Sequence, residues 1–101
     1  MKLYIVYILQ CSDSSYYVGM TSDLVERMNQ HNSGEFPEAY TYKRRPVKLQ
    51  WIEQFADPDL ATALEKQIKG WSRKKKEALI SEDWEKLKEF SRNYTQFGKS
   101  D

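Results

Sequence analysis

The chain has 101 residues, of which 40% are hydrophobic and 14% aromatic, and this length predicts one small domain with a modest core. Its formal net charge is only +1, so total charge gives no argument for nucleic-acid binding. Cys11 is the single cysteine, which excludes an intrachain disulfide and favours a reducing compartment. No apolar stretch is long enough to span a membrane, so we expect a cytoplasmic protein without membrane contact.

The first predicted elements are two short strands joined by a polar turn. Residues 3–9 form an apolar run, residues 12–15 are polar, and a second run over residues 16–18 stops at Gly19. Short apolar runs that are separated by turn residues predict a β-hairpin.

A helix is predicted directly after this hairpin. Thr21 or Ser22 is expected to cap it, Asp23 places an acidic side chain in its first turn, and residues 32–34 end it with glycine. The apolar positions inside this segment follow helical spacing, so one face of the helix should be buried.

Four polar side chains on these three elements form the main functional candidate. Tyr7 lies on the first predicted strand and Tyr17 on the second, while Arg27 and His31 are four residues apart and share one helix face. Two phenols, a guanidinium and an imidazole could therefore meet at one place. Ordinary packing of the tyrosines and a capping role for His31 are the structural alternatives.

A long loop over residues 35–46 mixes aromatic and basic side chains. It could contact phosphates and stack on an unpaired base, or it could simply pack its tyrosines on the edge of the sheet. A further basic run lies between Glu65 and Lys76, and acidic residues gather after residue 81. The near-neutral total charge therefore hides a basic side and an acidic side.

The third strand is predicted over residues 47–55, and a helix follows it. Alternation places five strand residues on one face: Val47, Leu49, Trp51, Glu53 and Phe55. Asp57 and Pro58 are expected to start the helix, which should end near Gly70. Its apolar stripe, which we expect to pack on the sheet, consists of Leu60, Leu64, Ile68 and Trp71.

Two more helices are predicted near the C-terminus. Ser72 should cap a short helix that runs to residue 80, and Ser81 should cap a last helix with Glu82 and Asp83 in its first turn. This last helix is expected to cover the core, and it could also serve a dimer contact.

Several of these residues together resemble the GIY-YIG nuclease family. Its two tripeptide motifs correspond here to Ile5-Val6-Tyr7, in which Ile5 replaces the first glycine, and to Tyr17-Val18-Gly19. Arg27 and His31 match the helix arginine and histidine of the family, and residues 63–69 resemble its second helix, which carries the metal-binding glutamate. The resemblance covers residues 3–80 and is closest to the short, single-domain bacterial branch.

The resemblance implies an α+β fold, with a small three-stranded, mainly antiparallel sheet flanked by helices and an extra C-terminal helix. Residues 1–81 would form the GIY-YIG-like domain, and residues 82–101 would form a helix and tail packed on it. The implied function is a metal-dependent endonuclease that hydrolyses phosphodiester bonds in DNA, in repair or recombination. A non-catalytic nucleic-acid-binding module on the same scaffold, and a protein-interaction module that uses the last helix, are the alternatives.

The implied catalytic residues are Tyr7, Tyr17, Arg27, His31 and Glu65. Glu65 would hold Mg²⁺ or Mn²⁺, although from position alone it reads as a helix glutamate paired with Lys69. One carboxylate predicts weak metal binding without substrate. The expected nucleic-acid contacts are Tyr40, Lys43, Arg44, Arg45, Lys69 and Arg73. DNA is the implied partner, with a homodimer or a targeting protein as a further possibility. Which of the two tyrosines and His31 accepts the proton of water stays open at this stage.

Overall fold

The computed structural model describes residues 2–83 and residue 85. The chain divides into two compact units, residues 1–69 and residues 70–101. Most of the helix predicted after Ser81 lies outside the described residues, as does the tail that follows it.

A three-stranded antiparallel sheet forms the centre of the first unit. β1 (Tyr4–Gln10) lies in the middle, with β2 (Tyr16–Thr21) on one side and β3 (Lys48–Phe55) on the other. The α+β fold predicted from the sequence is confirmed. Because β1 has a neighbour on both edges, its central residues are fully buried: Val6, Tyr7, Ile8 and Leu9.

The register between β1 and β2 decides which tyrosines share a face. Tyr7 lies opposite Gly19, and Leu9 lies opposite Tyr17. Residues directly opposite in an antiparallel pair point to the same side of the sheet, so Tyr7 and Tyr17 share one face. Tyr16 is adjacent to Tyr17 in the strand and therefore lies on the other face.

The turn between these strands is held by short-range hydrogen bonds. The Cys11 N–H donates to the Ser15 carbonyl at 2.8 Å, and the Asp13 carboxylate accepts from the Ser15 N–H at 3.0 Å. Ser14 adopts a left-handed conformation with φ of 71°, which closes the reversal.

Gly19 is required because the Tyr7 side chain crosses directly above it. A Cβ atom at position 19 would lie 2.5 Å from the Tyr7 hydroxyl oxygen and 2.6 Å from Cζ. Real Cβ contacts are not that short, so any side chain here would displace the phenol. The last glycine of the second motif is therefore explained by the space that Tyr7 occupies.

The predicted alternation along the third strand is wrong at one end, because the strand contains a bulge. Ile8 pairs with Trp51 and Leu9 pairs with Leu49, which leaves Gln50 as an extra residue. Because of this extra residue, the side chains before the bulge point to the opposite face from the one that alternation predicts. Leu49 and Trp51 therefore point to opposite sides of the sheet. Strict alternation in the sequence could not reveal this extra residue.

α1 (Leu24–Ser33) follows β2, and its N-cap is Asp23 rather than Thr21 or Ser22. The Asp23 carboxylate accepts from the Glu26 N–H at 3.0 Å. The Thr21 hydroxyl is already engaged, since it accepts from the Asp23 N–H at 3.0 Å. Gly34 ends the helix with φ of 75°, as the glycine there predicted.

α2 (Pro58–Lys69) packs across all three strands. It begins at the predicted proline, and its fully buried residues are Ala61 and Ile68. The predicted stripe is wrong at Leu60, whose side chain is 57% exposed, because the buried face is centred on Ala61 one position later. The Thr62 hydroxyl lies 3.8 Å from the Met20 sulfur, which places α2 on the face opposite Tyr7 and Tyr17.

α3 (Arg73–Ile80) belongs to the second unit, and its predicted N-cap is confirmed. The Ser72 side chain accepts from the Lys75 N–H, and the Lys75 ammonium lies 4.3 Å from the centre of the Trp71 ring. Ser81 is the C-cap of α3, and Glu82 has a left-handed φ of 58°. Ser81 therefore ends a helix, and the prediction that it caps a following one is wrong.

None of the helices in the described part of the chain has the length and apolar character needed to cross a bilayer.

Replacing Gly19 by alanine should destabilise the fold. We expect Gly19→Ala to lower the free energy of unfolding by about 1–3 kcal/mol, because the new methyl group displaces the buried Tyr7 phenol. Urea denaturation measures this loss. In a Tyr7→Ala background the same change should cost clearly less. An equal loss in both backgrounds would contradict the steric explanation.

Candidate active site

The hydroxyl of Tyr7 is hydrogen-bonded to the imidazole of His31, with 3.1 Å between the oxygen and Nε2. Tyr7 is 0% exposed and His31 is 8% exposed, so this contact between β1 and α1 lies in the interior of the first unit. The Tyr17 ring packs beside both, with its centroid 5.3 Å from that of His31. Three of the predicted site residues therefore form one aromatic cluster.

Burial raises the pKa of Tyr7 to about 12, and the neighbouring Tyr17 adds to this shift. The Arg27 guanidinium acts in the opposite direction, through hydrogen bonding and its positive charge, and lowers the pKa of Tyr7. The Glu65 carboxylate raises the pKa slightly further. Tyr17 and His31 thus contact Tyr7, and Arg27 acts on its phenol. Glu65 lies on α2, which packs on the opposite face of the sheet.

The pKa of His31 is lowered, first by burial and then by the charge of Arg27. Both effects disfavour the imidazolium, so His31 is neutral at neutral pH. Tyr7 is also neutral there, because its pKa lies far above 7. Arg27 therefore acts on two side chains, Tyr7 and His31, that carry no compensating charge.

Thr41 is a buried contact of the site that the sequence analysis did not select. Its hydroxyl lies 2.8 Å from Nδ1 of His31, and its side chain is 1% exposed. A single threonine in a loop carries no periodic or motif signal. Only the folded loop brings Thr41, ten residues after His31, against the ring.

A cleft of about 460 Å³ opens beside the cluster. Its walls include Tyr17, Arg27, Gln30, His31, Phe36 and Glu38. Tyr7 is buried behind this wall, whereas Tyr17 is partly exposed. The partly exposed phenol of Tyr17, the guanidinium of Arg27 and the imidazole of His31 are therefore the predicted residues that line the cleft.

The loop between α1 and β3 is fixed by its own basic residues. The Arg44 Nε donates to the Asp13 carboxylate at 3.1 Å, and the guanidinium lies 3.9 Å from the centre of the Tyr40 ring. The Arg45 Nε donates to the Tyr42 carbonyl at 2.8 Å. Tyr40 in turn stacks on Tyr17 at 6.0 Å. These arginines, predicted to contact nucleic acid, also hold the loop that forms the cleft.

Glu65 lies on α2, and its carboxylate forms an ion pair with Lys69 at 3.0 Å. This is the helix pairing that the sequence offered as the structural alternative. The Glu65 side chain is mostly buried, and its negative charge contributes to the raised pKa of Tyr7. A carboxylate oxygen suits Mg²⁺ chemically. Among the described residues there is no group of three or more histidine, cysteine or acidic side chains, so water and substrate would have to supply the remaining ligands.

The other predicted nucleic-acid contacts lie at different places. Lys43 is exposed in the 3₁₀ turn formed by Tyr42–Arg44, near the mouth of the cleft. Arg73 belongs to the second unit, where its Nε pairs with Glu77 at 3.0 Å. Lys69 lies on α2, where it forms an ion pair with Glu65.

The lowered pKa of His31 predicts that the protein loses stability as the pH falls below about 6.5. In that pH range the His31 imidazole binds a proton more readily in the unfolded chain than in the folded protein, so a lower pH favours unfolding. Urea denaturation at several pH values measures this trend. In His31→Gln the decline should be smaller, and an identical decline in both proteins would contradict the assignment.

One tyrosine should ionise much later than the others. Because Tyr7 is buried and its pKa is raised to about 12, the folded protein should show a late phenol in an alkaline absorbance titration. Because the pKa of Tyr7 is higher in the folded protein than in the unfolded chain, the free energy of unfolding should be retained up to about pH 10. It should fall between about pH 10 and pH 12, where only the unfolded chain readily loses the proton. Tyr7→Phe should lack the late phenol and Tyr4→Phe should keep it. A wild-type titration complete near pH 10 would disprove the shift.

Comparison with known proteins places this geometry in a family. The GIY-YIG catalytic domain matches residues 3–78 of this chain. A UPF0213 protein of Bacillus pumilus (strain SAFR-032) is 46% identical over 76 residues, which are 75% of this chain and 76% of that protein. A UPF0213 protein of Syntrophus aciditrophicus (strain SB) is 42% identical over 82 residues, which are 81% and 94% of the two chains.

A solved structure agrees with these matches. The UPF0213 protein of Bacillus halodurans, determined by solution NMR, is 39% identical, covers 78% of this chain and 83% of its own, and superposes with a TM-score of 0.52. Both the family match and the fold therefore agree with the resemblance found in the sequence. The chain belongs to the GIY-YIG catalytic domain family, and its relatives are short, single-domain UPF0213 proteins.

Proposed function

We propose that this protein is a divalent-metal-dependent endonuclease that hydrolyses phosphodiester bonds in DNA. The observation that carries the proposal is the arrangement of Tyr17, Arg27 and His31 around one cleft, with the Tyr7 hydroxyl bonded behind them. Phosphodiester cleavage needs a held phosphate, a positioned water and charge stabilisation. The side chains around this cleft offer the first two.

Arg27 is the group that we expect to bind the scissile phosphate. A guanidinium can hold two phosphate oxygens at once and can offset charge that builds on them in the transition state. The neutral state of Tyr7 and His31 leaves this positive charge available for substrate. Because the cleft is partly shielded from bulk water, its electrostatic effect should exceed that of an exposed arginine.

Tyr17 is the best candidate to orient the attacking water and accept its proton. Tyr7 is fully buried and its pKa is raised to about 12, so it is a poor base with no access to water. Both ring nitrogens of His31 are already hydrogen-bonded, one to Tyr7 and one to Thr41. Tyr17 alone among the three lies partly exposed at the cleft wall.

Glu65 is the residue that would hold a divalent cation, which when bound supplies positive charge to the phosphate and the leaving oxygen. In the folded chain this carboxylate is neutralised by Lys69 at 3.0 Å. Metal binding to the free protein should therefore be weak. Lys69 would be free to turn to a phosphate when the cation replaces it at Glu65.

The surface around the cleft suits a nucleic-acid backbone. Lys43 is exposed and Tyr40 presents a ring that already carries the Arg44 guanidinium. Aromatic rings beside basic side chains are typical of sites for nucleic acid. We propose that the protein acts in DNA repair or recombination in the cytoplasm. A dimer or a partner protein would direct it to its target, because the described residues include no separate domain for base-specific contacts.

A cleavage assay with a matched glutamate control tests the proposal. The substrates are single-stranded, duplex and branched DNA with Mg²⁺ or Mn²⁺. Glu65→Gln should reduce cleavage at least about 100-fold. Glu77→Gln is the control, because it too removes a helix glutamate paired at 3.0 Å with a basic residue four positions away, and it should leave cleavage unchanged.

Arg27 should be tested in the same assay. Arg27→Ala should also lose about 100-fold or more, and Arg27→Lys should recover part of this loss because it keeps the charge but not the two-point geometry. DNA binding by the wild type should weaken as salt is added. DNA binding without cutting under every condition would replace the enzyme with a non-catalytic nucleic-acid-binding module. Cutting that survives Glu65→Gln would remove the metal role of Glu65.

A further inference from the structure

The outer edge of β3 has no part in the candidate active site. β3 pairs with β1 on one side, and within the described part of the chain no further strand lies on its other side. Two large apolar side chains of this strand are exposed, Leu49 at 41% and Ile52 at 38%. The strand contains no proline that would block pairing. An open edge with exposed apolar side chains is a place where another strand can pair.

The bulge in β3 places both apolar side chains on one face of the sheet. Leu49 lies opposite Leu9, and Ile52 lies opposite Tyr7, so both belong to the face that carries Tyr7, which we call the site face. Residues three apart in a regular strand point to opposite faces, and the extra residue Gln50 removes this difference. Because Tyr7 and Leu9 are two apart on β1, their partners on β3 also direct their backbone N–H and C=O groups the same way.

Two opposite charges occupy the other face of the same strand. Lys48 lies opposite Gln10 and Glu53 lies opposite Val6, so both side chains are on the face that α2 covers. Both are exposed at the edge of the sheet. The strand edge therefore carries a basic and an acidic residue around its centre, with an apolar residue next to each.

This pattern is complementary to itself. When a second copy is turned by 180° about an axis perpendicular to the sheet, the two β3 strands become antiparallel neighbours and each face continues into the same face of the other copy. With Gln50 opposite Trp51 of the second copy, every apolar side chain meets an apolar one and every charge meets its opposite. A register centred on Glu53 would instead bring two carboxylates together.

We propose that β3 pairs with β3 of a second copy of this chain, with Leu49 opposite Ile52 and Lys48 opposite Glu53 of the other copy. Each of these pairs occurs twice because the contact is two-fold symmetric. The two three-stranded sheets then form one continuous sheet, and the free N–H and C=O groups of both edges become hydrogen-bonded.

The size of this contact determines how strongly the copies associate. Residues 48–53 of each copy are far fewer than the roughly 20–30 residues per partner of a standard stable interface. Cross-strand apolar and charged pairs contribute only about 0.2–1 kcal/mol each. We therefore expect a reversible dimer that forms at micromolar concentrations or above.

The pairing has a consequence for the arrangement of the two active sites, and this consequence alone rests on the proposed nuclease function. The cleft is lined by Tyr17, which lies on the site face, so both clefts would lie on the same side of the joined sheet. The two β2 strands are then five strand spacings apart, or about 24 Å. One nucleic-acid molecule could contact both clefts at once, which would provide the targeting by a dimer that is proposed above.

Sedimentation equilibrium of the full chain tests the pairing without DNA or metal. The apparent mass of the wild type should rise from that of a monomer to that of a dimer through the micromolar range. A wild type that remains monomeric up to about 1 mM would overturn the proposal. A dimer that cuts no DNA would refute the nuclease function and the paired active sites, while the interface itself would stand.

Charge reversal tests the register. Lys48→Glu brings carboxylates opposite each other twice, and Glu53→Lys does the same with ammonium groups, so each variant alone should dimerise at least about 10-fold more weakly. In an equimolar mixture of the two variants each reversed residue meets an opposite charge. Heterodimers should therefore form about as tightly as the wild-type dimer.

Two further variants complete the test. Ile52→Asp should also weaken the dimer, because it removes the apolar pair on the site face. Lys66→Glu makes the same charge change as Lys48→Glu at an exposed position on α2 and should leave dimerisation unchanged. Equal dimerisation in every variant would assign the contact to another surface. Two weakened charge variants that do not recover on mixing would overturn the register.

Discussion

The hydrogen bond between Tyr7 and His31, made above the bare backbone of Gly19, is the interaction on which the rest of the site depends. It joins the central strand of the sheet to the first helix in the interior of the unit. Both side chains are buried and the hydrogen bond between them is directional. The bond therefore fixes the helix face that carries Arg27 relative to the sheet that carries Tyr17. The cleft lies beside this contact between the strand and the helix.

The electrostatics of the site follow from the same burial. Desolvation raises the pKa of Tyr7 and lowers that of His31, and each shift keeps its group neutral at physiological pH. A buried pair of neutral hydrogen-bonding groups costs far less than a buried ion pair. Arg27 lies in the wall of the cleft, and a cation there suits an anionic substrate such as a phosphodiester.

The loop between α1 and β3 shows how basic residues can serve structure and binding together. Arg44 bridges to the β-hairpin through Asp13, and Arg45 packs its guanidinium over the ring of Tyr42, against Gly34. Asn32 closes the base of the loop by accepting from the Val47 N–H at 2.8 Å. These contacts hold the loop in place, and so they hold Thr41 against the imidazole of His31.

The amino-acid sequence alone was sufficient to predict the hairpin, α1 and α2, the shared face of Tyr7 and Tyr17, and the helix face of Arg27 and His31. These features depend on the spacing of side chains, every 2 residues in strands and every 3.6 in helices, and on capping residues. Both can be recognised from residues that are close together in the sequence. The family followed from the same few positions, because two motifs in order with the later polar residues are far more specific than either alone.

Only the tertiary structure decided the bulge at Gln50, the N-cap at Asp23 and the contact of Thr41 with His31. A bulge depends on how two strands meet, and a loop contact depends on where distant segments pack, so neither has a local signature. The partner of the Glu65 carboxylate was likewise decided only by the tertiary structure. From the sequence, Glu65 could pair with Lys69 or hold a metal. In the fold its carboxylate pairs with Lys69, on the helix that packs against the face of the sheet opposite Tyr7 and Tyr17.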